Sequence, residues 1–102
     1  MTKDPQTAAT VKEILDLIKN ISPGKSVELR VPPYGAIQCV AGSNHRRGTP
    51  PNTVEMNGQT LIKLINEPVL WSSLCDSGEV KASGLLSDLS YVIAQAAVKY
   101  RA

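Results

Sequence analysis

The chain has no phenylalanine, and its 102 residues hold only one tryptophan, three tyrosines, one histidine and two cysteines. Each shortage closes a route. Four aromatic rings give few platforms on which the bases of a single strand could stack, and cations are interleaved with acids, so no nucleic-acid role is expected. A lone His45 lacks the neighbouring ligands that a metal site needs, so no metal and no cofactor are expected. Cys39 and Cys75 lie far apart and outside any CxxC spacing, which reads as two free thiols in a reducing cytosol. No apolar run approaches the ~18 residues of a spanning helix. The opening "MTKDPQTAAT" lacks the basic-then-apolar order of a secretory signal, and a cytoplasmic location follows as the expectation.

Catalytic signatures are missing as well. There is no P-loop, no GxGxxG and no HExxH. Ser83 sits in "ASGLL", which is not a GxSxG elbow. Cys39 and His45 fall on a strand and the loop after it, so a thiol–imidazole contact is conceivable. No third group at a recognisable spacing would orient that pair. A non-enzymatic protein is expected.

What is present is a foldable chain, 42% hydrophobic, with a formal charge of only +2. Its length suits one domain over residues 1–102 with a modest core. Seven Lys and Arg face four Asp and Glu in residues 1–50, against four and five thereafter. The weak basic bias therefore sits in the first half.

"DPQTAATVKEILDLIKNI" carries two helix-start signals, Asp4 before Pro5 and Thr10 with Glu13. Val11, Ile14, Leu15, Ile18 and Ile21 recur at helical spacing until Pro23 and Gly24 end the run. "SVELRV" and "AIQCV" alternate about the breaker "PPYG", which predicts an antiparallel hairpin with Val27, Leu29, Val31, Ile37 and Cys39 on its inner face. "AGSNHRRGTPPN" reads as a loop and "TVEM" as a third strand, residues 53–56. From Gln59 the period is helical, with Asn57 or Thr60 as cap and Pro68 as stop. "VLWSSLCDSG" adds a short helix ending at Gly78, and "EVKAS" a fourth strand. After Gly84 a last helix is expected, its inner face tracing Leu85, Leu89, Val92, Ile93, Ala96 and Tyr100. This order predicts an α+β fold: a single mixed, mostly antiparallel sheet of four to five strands covered by helices on one face.

The stretch "TVEMNGQTLIKLINEPVLWSSLCDSGEVKASGLLSDL" resembles the second half of sterol carrier protein-2 (SCP2) domains. Together with "VELRVPPYGAIQCVAG" and "HRRGTPPN" it is similar to a bacterial SCP2-like family of small stand-alone sterol carrier domains, over most of residues 26–90. The resemblance implies a sheet backed by helices with an apolar tunnel between, and a lipid-transport role for a fatty acid, acyl-CoA or sterol-like ligand.

The residues supply walls for such a site. Ile37 and Cys39 lie on the sheet, and Leu61, Leu64, Ile65, Trp71, Leu74, Leu89, Val92 and Ile93 lie on the helices. Arg46 and Arg47 could hold a carboxylate or phosphate headgroup, because guanidinium matches both in bidentate geometry. The same aliphatic residues would equally build an ordinary core, and the arginines an ordinary solvated loop. Two readings stay open: a lipid-binding carrier, or a protein-interaction module that keeps the fold with a filled core and meets its partner through the last helix or "PPYG". Membrane contact is expected to be transient at most, and a homodimer is compatible with either reading.

Overall fold

The structure, a computed structural model, describes residues 4–42 and 52–101. Helix α1 (Pro5–Ile21) begins at the first of its two start signals. Asp4 Oδ2 accepts from the Thr7 hydroxyl at 2.6 Å and the Thr7 N–H at 3.1 Å. Those bonds favour the ionised carboxylate and lower its pKa from the usual value. Thr10, the alternative start, lies inside the helix and donates to Gln6 O. Proline at the first position loses no helical bond, so the earlier start costs nothing and adds helix. Val11, Ile14, Leu15 and Ile18 are buried along the predicted stripe.

β1 (Val27–Val31) and β2 (Gly35–Cys39) form the expected hairpin, with Val27 opposite Cys39 and Leu29 opposite Ile37. β3 (Asn52–Glu55) pairs in parallel with β1, and β4 (Lys81–Ser83) pairs antiparallel with β3. The sheet therefore has four strands in the order β2-β1-β3-β4, mixed and mostly antiparallel. Between β3 and β4 come α2 (Gly58–Asn66), a single 3₁₀ turn (Pro68–Leu70) and α3 (Trp71–Ser77), which closes at Gly78. Asn57 is the cap of α2, its Oδ1 accepting from Thr60 N–H at 2.8 Å. The last helix, α4 (Ser90–Arg101), ends with Arg101 donating to the Ile65 and Asn66 carbonyls at the end of α2. Those carbonyls have no partner within their own helix, and a cation there also suits the helix dipole.

One boundary differs from expectation. Residues after Gly84 continue as a turn, and the helix starts only at Ser90. The Ser87 N–H and hydroxyl both donate to Gly84 O, and the Asp88 carboxylate accepts from Ser90 N–H. These local bonds replace the first helical turn that the apolar spacing suggested. Leu85, placed by that spacing on the inner face, is fully exposed, whereas Leu89, Val92, Ile93 and Ala96 are buried as expected.

The four helices share one core with a single face of the sheet. Val27, Leu29, Val31 and Val54 point into it, while Glu28, Arg30, Thr53 and Glu55 alternate outward. Just beyond β2 the chain is held against the α1–β1 connection. Val40 N–H donates to Ser22 O at 2.8 Å, and Val40 O accepts from Ser26 N–H at 3.1 Å. Val40 takes φ +67°, a conformation that a β-branched side chain adopts only under constraint. Gly24 makes room for it: a Cβ there would stand 2.1 Å from Val40 O.

Candidate functional site

The predicted lining residues do converge. Cys39, Leu61, Leu64, Ile65, Trp71, Leu74, Leu89, Val92 and Ile93 all belong to the one buried cluster, and Ile37 packs on its edge. Hairpin alternation turns Cys39 inward from β2. Helical spacing turns Leu61, Leu64 and Ile65 inward from α2, and Val92 and Ile93 inward from α4. Leu89 is anchored just ahead of α4, where its carbonyl accepts from Ile93 N–H. Arg46 and Arg47, with His45, lie outside the described residues.

The described surface carries open grooves beside the helices and the sheet, lined by residues other than the converging ones. One runs between α1 and α4, about 680 Å³, bounded by Leu17, Ile21 and Val98 with Asn20, Gln95 and Lys99 on its rim. Two smaller ones, about 360 and 390 Å³, flank the Pro32–Pro33 turn on the uncovered side of the sheet, where Arg30, Glu55 and Lys81 meet. Leu17 and Ile21 line the α1–α4 groove and also pack against the core, and the buried Met56 borders one of the grooves beside Pro32–Pro33. Sequence reasoning passed over the α1–α4 groove. Its signal was present: Leu17 falls off the α1 stripe and Val98 off the α4 stripe, so each helix carries an apolar residue that its own inner face does not use.

Asn52 was also missed. It is a buried amide whose Nδ2 donates to Ser26 O at 2.8 Å and whose Oδ1 accepts from Leu86 N–H at 2.9 Å. It thereby ties β1, β3 and the turn before α4 together. The period-2 parity that turns Val54 inward turns Asn52 inward too, which was readable once the strand is started one residue earlier.

The thiols are not poised for chemistry. Burial pushes Cys39 up to about 11, and burial followed by the Asp88 and Asp76 carboxylates raises Cys75. Both are free cysteines. Among the described residues no cluster of His, Cys, Asp and Glu could hold a metal ion, and no helix is long and apolar enough to cross a membrane.

A family model described as "Bacterial SCP ortholog" matches residues 3–94. The chain belongs to that bacterial SCP2-like family. A solved structure described as "UbiJ-SCP2 Ubiquinone synthesis protein" is similar to it, with a TM-score of 0.56, 19% identity, and coverage of 100% of this chain and 98% of that one. At that identity the likeness concerns the fold. No curated protein matches the chain.

Proposed function

We propose that this SCP2-like domain is a non-enzymatic lipid-binding carrier for an amphiphile of the fatty acid, acyl-CoA or sterol-like class. The observation that supports it most is the open α1–α4 groove, whose Leu17 and Ile21 also pack against the core cluster that holds Leu64, Leu89 and Ile93. Family membership supports the same reading. A lipid tail asks for little beyond apolar surface, about 0.8 kcal/mol per buried CH₂. The tail first lies in the groove, and the cluster accepts more of it by rotamer change. Lys99 on the groove's rim is a cation within reach of an anionic head, and Arg46 and Arg47 remain the second proposed headgroup contacts. Protonated, buried Cys39 offers no thiolate nucleophile at neutral pH, which supports a binding role.

One observation favours the alternative of an interaction module with a filled core: nine of the proposed lining residues are already buried against each other. Native mass spectrometry of freshly purified protein separates the two. Recurrent bound-lipid masses are expected from a carrier. A bare mass, with no uptake after incubation in a mixed lipid extract, overturns the proposal.

A further inference from the structure

Helix α4 is apolar on two sides. Val92, Ile93, Ala96 and Ala97 face the core, while Tyr91 and Val98 face away from it, 54% and 72% exposed. That outer pair is about two helical turns apart, so both side chains lie on one line along the helix. Ala94 and Gln95, both exposed, sit between them. The helix carries no charge before Lys99 and Arg101 in its last turn, and the nearest acid ahead of it is the exposed Asp88. The outer stripe is therefore uncharged along its length, acidic ahead of its start and basic at its end.

We infer that two copies of the chain meet on this stripe, their α4 helices antiparallel about a two-fold axis between Ala94 and Gln95. Charge and spacing name the occupant. Turned end for end about that midpoint, Tyr91 faces Val98 of the second copy and Asp88 faces its Arg101, because both pairs are centred on the same point. The self-match also sets the two helix dipoles in opposition. A parallel pairing would instead bring Asp88 against Asp88 and Lys99 against Lys99. Arg101 uses only Nη2 on the α2 carbonyls, and Asp88 accepts from Ser90 N–H through Oδ1. Ala94, the smallest side chain of the stripe, stands at the axis and lets the two backbones approach. An anionic bilayer would be repelled by Asp88 at one end. The contact shares Val98 with the α1–α4 groove, but Tyr91 and Asp88 lie outside that groove, so the carrier proposal and this one are tested on different residues.

The test is sedimentation velocity of the delipidated full chain from micromolar to about millimolar concentration. The average mass is expected to rise from monomer to dimer. Tyr91→Lys should weaken the dimer about tenfold or more. It should leave the melting temperature of the dilute monomer unchanged, since Tyr91 is not part of the core. Orientation is read by cross-linking in a Cys75→Ser background, where Cys39 is buried. Tyr91→Cys and Val98→Cys chains, mixed and oxidised, should join to each other far more than either joins to itself. No readout uses lipid, so failure of the carrier proposal leaves these expectations as they are. A parent that stays monomeric at the highest concentration, or a Tyr91→Lys chain that dimerises as the parent does, overturns the inference. So does a Tyr91→Cys chain that prefers its own kind. A monomeric parent that sediments with phosphatidylcholine vesicles, and a Tyr91→Lys chain that does not, overturns it too and gives the stripe to a bilayer.

Discussion

Leu64 and Val98 are both aliphatic residues on helices that cover the sheet, yet Leu64 has no exposure and Val98 is 72% exposed. Leu64 is buried on α2, which packs against α1 and α4. Val98 lies on the outer side of α4, where it and Leu17 of α1 leave a gap. The difference shows that aliphatic character alone does not make a binding surface. In the Leu64 region every apolar group is already satisfied by a neighbour, so a guest must displace protein contacts worth about as much as its own. In the groove the water contact is already a cost, and a guest removes it.

Substitutions that treat the two regions alike should therefore give opposite results. The largest effect is expected at Leu64. Leu64→Asp should abolish cooperative folding, because an unpaired charge is placed in the core. Leu64→Ala should cost about 2–5 kcal/mol in urea or thermal denaturation. Leu64→Trp sharpens the contrast: overpacking costs ~1–3 kcal/mol in a tight core. If the interior yields to a lipid tail, this variant should still fold and lose lipid uptake, which mass spectrometry reads alongside circular dichroism.

Asn52 comes next. Asn52→Ala leaves Ser26 O and Leu86 N–H without their partner, at about 1–3 kcal/mol for each group that water does not reach. Chemical denaturation measures the loss, and hydrogen exchange should show it first at Leu86. At Val98 the order of readouts reverses. Val98→Asp should shift stability by less than ~0.5 kcal/mol, as surface changes do, while weakening uptake of an anionic lipid through lost apolar contact and repulsion of the head. Equal uptake by parent and variant would remove the groove from the proposed site.

The smallest effect is a matter of pH. Asp4 and Asp88 both titrate below the usual carboxylate value, Asp4 because Thr7 donates to it by hydroxyl and backbone, Asp88 because Ser90 does. Their contribution to stability is complete above the unfolded value near 3.8 and fades as the pH falls below it, through the lowered folded-state values. Asp4→Asn and Asp88→Asn should flatten the acid limb of the stability curve, lowering stability slightly at pH 7 and leaving it nearly unchanged at low pH, where the carboxylates are already neutral.

Much of this architecture was legible in the residues. Asp4–Pro5 marked the start of α1, the alternation about Pro32–Gly35 gave the hairpin with its inner face, and Asn57 was one of two caps named for α2. Those signals are local, and local bonding decided them. The start of α4 was not legible, because the spacing of Leu85 and Leu89 fits a helix while the hydrogen bonds of Ser87 and Asp88 do not. Periodicity reports where apolar residues would fall if the backbone were helical; it is silent on whether a serine or aspartate bids for the same N–H groups. The apolar residues around Leu64 do gather in one buried core, but how tightly they pack depends on how four helices settle together, which no single stretch encodes. The groove escaped for the opposite reason. Leu17 and Val98 look like ordinary exceptions on their own helices and gain meaning only when those helices are side by side.

The parallel pairing of β1 with β3 also bears on the order of assembly. β1 and β2 are joined by a tight turn and can meet within microseconds, whereas β3 must close a far longer span of chain before it finds β1. The central strand therefore waits on its most distant neighbour. Conservative truncations in the hairpin, such as Val31→Ala, should slow refolding. Val54→Ala should act chiefly by hastening unfolding.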